Sequence, residues 1–226
     1  MEKLTAKVLK KVQNTPDVVT LHFTVGGKVL DYVAGQYVTV YFDDTSVKTG
    51  KAYSLSSAPG DKAMSITVKN IGLFSGKLHS LELGDEFLVS KPYGFFNVKN
   101  DLPIVAIAAG VGISPIWSII RDELDTGRPI ELLYSNKTEK DIVFKQEIGA
   151  LRPKKNFKVR HFVTRENNGK YISRRIDSPK ILGPHEPKRN YYICGSQDFV
   201  SAMWGLLSQA GVGEAAISTE TFFENQ

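Results

Sequence analysis

The sequence predicts two domains, an N-terminal antiparallel β-barrel over residues 1–98 and an α/β domain with a parallel sheet over residues 99–226. Three observations carry this. The first half consists of short β-branched runs at roughly ten-residue intervals with no long helical pattern, the rhythm of a small barrel. From Leu102 onward strand-like and helix-like segments alternate, the mark of a parallel sheet. At the junction stands Ile104–Ala109, a nearly continuous apolar run that suits a strand buried on both faces. It breaks at Gly110 and Gly112 and passes into helical spacing at Ile116, Ile119, Ile120 and Leu124.

Taken in order, Thr5–Val12 and Val18–Val25 have the partial alternation of half-buried strands. Gly26-Gly27 marks a turn, Tyr37–Phe42 is the next strand, and Tyr53–Ser57 leads into a turn at Ala58-Pro59-Gly60-Asp61. Ala63–Lys69 alternates again. Lys51-Ala52-Tyr53-Ser54 sets a cation, a ring and a hydroxyl on one strand, with Lys51 and Tyr53 facing one way and Ala52 and Ser54 the other. Gly72–Leu81 reads as one short helix whose opening offers unpartnered N–H groups to a phosphate, unless Ser75 satisfies them locally.

In the second half the strands are Ile104–Ala109, Ile130–Ser135, Phe157–Val163 and Tyr191–Cys194. The helices are Pro115–Asp125, Phe144–Leu151 and Asp198–Ala210, and Lys99–Leu102 is the expected boundary between domains. Ligands of open α/β sheets bind beyond the carboxyl ends of the strands. The ends to watch are therefore Gly110–Ser114, Ser135-Asn136-Lys137-Thr138, Thr164-Arg165 and Cys194-Gly195. The first of these reads Gly-x-Gly-x-x-Pro and so departs from the standard dinucleotide fingerprint.

Composition narrows the function. With 42% hydrophobic and 23% charged residues the chain is an ordinary globular protein, and no run approaches the ~18 apolar residues of a membrane span. The single cysteine, Cys194, excludes an intrachain disulfide framework and any four-cysteine metal cluster. A cytoplasmic location is expected, and any redox centre must be a bound organic cofactor. The net charge is +5, and between Arg152 and Arg175 nine cations face one acid, Glu166. Without a recognition helix or aromatic interleaving, that surface suits a small anion or an acidic protein rather than nucleic acid.

These residues resemble the ferredoxin–NADP reductase superfamily of flavoprotein pyridine-nucleotide reductases, in the family's order and over nearly the whole chain. Ala34-Gly35-Gln36-Tyr37-Val38 is similar to its Pro-Gly-Gln-Tyr-Val strand, and Lys51–Ser54 to its Arg-x-Tyr-Ser flavin motif. Gly72–Ser75 resembles the Gly-x-x-Ser flavin-phosphate turn, and Pro92–Phe96 the Pro-x-Gly-x-Phe segment. Gly110–Pro115 resembles the nicotinamide-nucleotide motif, Cys194-Gly195 the Cys-Gly pair and Glu220-Thr221-Phe222 the Glu-x-Phe near the C-terminus.

The resemblance implies FAD as cofactor and NAD(P)H as electron donor. Tyr53 would stack on the isoalloxazine and Ser54 bond near flavin N5, while Lys51, Ala52, Val68, Lys69, Gly72, Leu73, Phe74 and Ser75 would hold the rest of the flavin. Gly110, Gly112, Ser114 and Pro115 would receive the dinucleotide's diphosphate, with Ser135 and Asn136 beside it. Ser54, Cys194 and Glu220 would form the catalytic set, joined by Gly195, and an aromatic at Phe222 or Phe223 would shield the flavin. Lys51 departs from the family's arginine, trading a bidentate fork for a point charge and weakening the phosphate grip.

Asn136–Asp141 resembles NADH-using cytochrome b5 reductases, whereas Thr164-Arg165, followed by Lys170, Arg174 and Arg175, is similar to the 2′-phosphate site of NADPH-using plant reductases. NADPH is the expected donor. Electrons are expected to leave to a separate acceptor, such as an acidic ferredoxin or flavodoxin. The alternatives are a flavin reductase that releases its flavin and a redox-sensing subunit without turnover.

Overall fold

A computed structural model describes residues 2–43, 49–178 and 188–222. The first domain contains β1 (Leu4–Thr15), β2 (Val18–Val25), β3 (Tyr37–Tyr41), β4 (Lys51–Ser54), β5 (Met64–Lys69), α1 (Leu73–Ser80) and β6 (Glu86–Val89). Its strands form one six-stranded antiparallel sheet in the order β4-β3-β6-β1-β2-β5. The two ends close on each other just past β4, where Leu55 bridges Ile66 and the Ser56 N–H donates to Ser65 O at 2.8 Å. Inside lie Leu21, Phe23, Val38, Val40, Leu55, Ile66, Phe87 and Val89, the inward members of the alternating runs. Strand β6 goes beyond the strands expected from sequence. Only Phe87 and Val89 of its four residues are buried, too short a repeat to read before its partners β1 and β3 are known.

The second domain contains β7 (Ile104–Ala109), α2 (Ile113–Glu123), β8 (Ile130–Asn136), α3 (Lys145–Ala150), β9 (Phe157–Val163), β10 (Asn190–Ser196), α4 (Gln197–Gln209) and β11 (Ile217–Phe222). All five strands run parallel in the order β11-β10-β7-β8-β9. The chain winds outward from β7 through β8 to β9, then returns to lay β10 on the other side of β7. That reversal opens a crevice at the carboxyl ends of β7 and β10. Helix α2 starts at Ile113, two residues before the expected Pro115, because proline is tolerated in a first turn that needs no N–H from it. Strand β11 was expected only as a motif, not as a strand.

Helix α2 also docks on the barrel. Ser118 Oγ donates to Ser57 O at 2.5 Å, and the Arg121 fork grips the Asp61 carboxylate at 2.6 and 2.8 Å. Val18, Ala34 and Phe96 join Ile116, Ile119 and Ile120 in one apolar cluster, and Phe96 meets the Tyr192 ring edge-on at 5.6 Å. Gly35 makes this seam possible: it sits at φ 92°, and a Cβ there would overlap the Phe96 carbonyl oxygen. Gly35→Ala therefore loses about 2–4 kcal/mol of stability from strain plus steric overlap, measured by urea unfolding. A loss under about 1 kcal/mol would mean the Phe96 segment yields freely.

Candidate active site

The two domains enclose a cavity of about 550 Å³. The barrel contributes β4, whose Lys51, Ala52, Tyr53 and Ser54 all reach the cavity wall; burial does not follow the expected two faces, since Ser54 is buried, Ala52 exposed and Lys51 and Tyr53 half-buried. The Tyr53 ring stacks on Phe74, centroids 6.1 Å apart and planes 24° apart. Burial pushes the Tyr53 hydroxyl far above its ordinary range, so the ring is a neutral apolar surface at any working pH. Lys51 Nζ lies 5.8 Å from the Phe74 ring centroid, on the same wall.

Helix α1 opens onto this wall. Ser75 Oγ accepts from the Ile71 and Gly72 N–H groups at 2.9 and 3.1 Å, which turns the chain into the helix. The N–H groups that follow have no partner within the helix, and a Cβ on Gly72 would meet nothing within 4 Å. The approach to the helix start is thus open, as an anion needs. Lys69 lines the same end and is paired with Asp17 at 3.5 Å. Val68 and Leu73 stand apart: Val68 is buried in the barrel core, and Leu73 points to solvent.

The α/β domain supplies the opposite wall. Gly110 takes φ 52°, a left-handed turn that glycine adopts without strain, and its carbonyl accepts from Tyr134 Oη at 2.9 Å. Gly112 answers to a different constraint. A Cβ there would lie 2.5 Å from Cys194 O and 2.8 Å from Gly195 Cα, so glycine lets the turn touch the backbone of β10. Ser114 Oγ donates to Val111 O at 2.7 Å, which with Pro115 shapes the first turn of α2 at the cavity.

Register does the rest. Cys194 pairs with Ala108 of β7 on one side and Glu220 of β11 on the other. Glu220 reaches across the cavity to the barrel, where Ser54 Oγ donates to its Oε1. Burial pushes the Glu220 carboxyl up to about 7, against the opposing effect of the Ser54 hydrogen bond. The buried Cys194 thiol is raised well above its ordinary value by burial and then by the neighbouring Glu220, so it stays protonated. Residues from β4, β10 and β11, separated by up to 166 positions, form one cluster. Thr219, Thr221 and Phe222 continue the wall, while Phe223 lies outside the described residues. Tyr37 is a lining residue that the sequence reading used only as a strand marker. Its pairing with Ser54 across β3 and β4 is what brings it there.

A second group sits at the carboxyl ends of β8 and β9. Asn136, 5% exposed, has no partner for either side-chain amide atom, and Ser135 precedes it on the strand. The Thr164 and Arg165 N–H groups donate to Asn136 O and Lys137 O at 3.0 and 2.9 Å. Of the four expected cations, Lys170 is bound to Glu139 and Arg174 to Asp177, each at 2.5 Å. Arg165 and Arg175 are exposed, with no carboxylate partner among the described residues. His161 lies between the Tyr134 and Tyr171 rings, and burial lowers its pKa to about 4, so it is neutral at pH 7.

An open helix start, an aromatic wall, a glycine turn, a glycine-dependent close approach and an orphaned buried amide fit a flavin with a phosphate tail facing a dinucleotide. Comparison with known proteins agrees. Residues 5–98 match the family described as oxidoreductase FAD-binding domain, and residues 106–204 the oxidoreductase NAD-binding domain. The chain belongs to the ferredoxin–NADP reductase-like superfamily. It is an FAD- and NAD(P)H-dependent oxidoreductase of that family.

Similarity extends along nearly the whole chain. It is 30% identical to a flavohemoprotein of Bordetella pertussis over 96% of this chain and 60% of that protein. It is 28% identical to the glycine betaine monooxygenase reductase subunit of Pseudomonas aeruginosa, over 96% of this chain and 63% of the subunit. The chain therefore spans about three-fifths of the length of these curated relatives. The flavohem-like FAD/NAD-binding domain of nitric oxide dioxygenase from Vibrio cholerae superposes with a TM-score of 0.89 at 27% identity, covering 97% of this chain and 98% of that one.

The raised carboxyl of Glu220 makes a stability prediction. Burial favours its protonated form, so folding takes up a proton between pH 4.5, the ordinary value, and about 7. Unfolding free energy of the flavin-free protein falls as pH rises through that window and levels off above it. Glu220→Gln removes this loss and is more stable than wild type at pH 8 by about 3 kcal/mol, converging with it near pH 4. Urea titrations at the two pH values check it; parallel wild-type and variant curves would show that Glu220 titrates normally.

Proposed function

We propose that this chain is a reductase that draws on NAD(P)H, with NADPH favoured, and serves a separate electron acceptor such as an acidic ferredoxin or flavodoxin. In this reading residues 1–98 hold FAD and residues 99–226 hold the dinucleotide. The observation that carries it is the meeting of Ser54 and Glu220 across one cavity between the domains, with buried Cys194 paired to Glu220 on the neighbouring strand. Bound FAD supplies a hydride-accepting ring and the onward release of electrons.

The chain's own residues do the positioning. Tyr53 and Phe222 are the apolar walls against which a planar ring is held and water displaced. Ser54 holds a proton at Oγ, directed at Glu220, and Glu220 can keep or yield its own proton near neutral pH. The first turn of α1, with Lys51 and Lys69, serves the flavin phosphates; Gly110–Pro115 serves the dinucleotide diphosphate. Cys194 contributes shape rather than a thiolate. Asn136 offers the nucleotide two buried amide atoms, and Arg165 offers a 2′-phosphate an exposed guanidinium with no carboxylate partner among the described residues. The net charge of +5 favours an acidic acceptor, and the reductase subunit of a monooxygenase among the relatives has that kind of role in its name.

The phosphate end of the cavity favours a second reading. It carries Lys51 and a partnered Lys69 where the family has an arginine fork, so flavin could turn over as a released substrate. Dialysis decides between them: a tight cofactor leaves a yellow protein with one FAD per chain, whereas a colourless active protein overturns the first reading. Anaerobic NADPH should bleach the yellow protein; no bleaching with either nucleotide would point to a subunit without turnover. Arg165→Ala should lower kcat/KM for NADPH about tenfold or more, for loss of a charge-assisted contact, and leave NADH unchanged. Equal loss with both donors would remove the phosphate assignment.

A further inference from the structure

The turn after β8 carries a carboxylate in the middle of the loop that follows β9. Thr138 and Asp141 build that turn without help from the loop: Asp141 Oδ2 accepts from the Thr138 N–H and Oγ1, both at 2.8 Å. The loop is then laced to the turn along its backbone. Arg165 N–H donates to Lys137 O at 2.9 Å, and the Glu139 N–H donates to Glu166 Oε2 at 2.9 Å. The Glu139 side chain faces the loop's donors. Its Oε1 accepts from Lys170 Nζ at 2.5 Å, Lys145 Nζ at 2.6 Å and Tyr171 Oη at 3.1 Å, and its Oε2 accepts from Asn168 Nδ2 at 3.2 Å. The bonds from Lys145 and Lys170 hold its pKa down to about 2, so it is an anion throughout the working range.

We infer that Glu139 is a specificity-determining residue for the nucleotide donor: it occupies Lys170 and sets a negative charge on the turn to which the Arg165 backbone is hydrogen-bonded, which limits the preference for a 2′-phosphate. The inference rests on the donor reading proposed above. A dianionic phosphate entering this loop must compete with the carboxylate for Lys170 and is repelled by it. A ribose 2′-hydroxyl instead can donate to a carboxylate oxygen. Arg174 is likewise committed to Asp177, which leaves Arg165 and Arg175 as the cations of this loop with no carboxylate partner among the described residues, Arg165 being the one whose backbone is laced to the Glu139 turn. Four donors converge on one carboxylate, so removing its charge while keeping its shape frees Lys170 and Lys145 together.

The test compares wild type with Glu139→Gln for kcat/KM with NADPH and NADH, and for calorimetric binding of 2′-phospho-AMP and AMP. The NADPH-to-NADH ratio should rise about tenfold through KM, with kcat nearly constant, because charge-assisted bonds become available to the phosphate. Binding of 2′-phospho-AMP should tighten by a similar factor while that of AMP does not. The gain should shrink in about 0.5 M salt, since these charges are exposed and screened. A ratio within about twofold of wild type in a folded, flavin-containing Glu139→Gln protein overturns the inference, that being less than one charge-assisted bond provides.

Glu139→Ala keeps the inference testable should Glu139→Gln fail to fold. With the carboxylate removed outright, 2′-phospho-AMP should bind about tenfold tighter, and an unchanged or weaker affinity would overturn the inference. A wild type that transfers hydride from neither nucleotide removes the donor reading and this inference with it. A wild type that works, with a ratio indifferent to Glu139, removes the inference alone.

Discussion

Helix α2 holds the molecule to one geometry. Its middle is fastened to the barrel by Ser118 on Ser57 and Arg121 on Asp61. Its start is pressed, through Gly112, against the backbone of Cys194 and Gly195. One rigid element thus sets the distance between the barrel wall at Tyr53–Ser54 and the sheet edge at Cys194–Glu220. A chemistry that works only when two planar groups lie at contact distance needs such a fixed gap, because small misplacements cost rate steeply. The apolar seam of Val18, Ala34, Phe96 and Ile116 stiffens the same joint, and Gly35 permits it by having no side chain.

The electrostatics of the cavity follow from that enclosure. Glu220, Cys194 and Tyr53 are all shifted toward their neutral forms, and in each the leading cause is loss of water. At the carboxyl ends of β8 and β9 the opposite holds: Glu139 faces a ring of donors and stays charged. The protein thereby separates a dry cavity between the domains, where charge is suppressed, from a wetter loop cluster, where charge persists. Ser54 connects the two domains across the dry centre, its hydroxyl directed at a carboxylate of another strand.

Much of this was legible in sequence because it is local. The alternation in Val18–Val25, the apolar run at Ile104–Ala109 and the glycine break after it each encode their own structure. The proline at position 115, a defect against the usual dinucleotide fingerprint, marks the family. Strands β6 and β11 were not legible as strands, since four and six residues with weak alternation become strands only through their neighbours. The cations of the β9 loop were visible as a run, but their partners were not. That Lys170 faces Glu139, 31 positions away, is decided by the lacing of two loops and not by either segment.

The sequence by itself therefore determined the two-domain class, the flavin and nucleotide motifs and the order in which they occur, because hydrophobic period and glycine position act within a few residues. Tertiary structure alone decided that Ser54 meets Glu220, that Cys194 is a buried neutral thiol, and that half the expected phosphate cations are already committed to carboxylates. Those outcomes depend on strand register and domain seating, which bring together groups that no local rule relates.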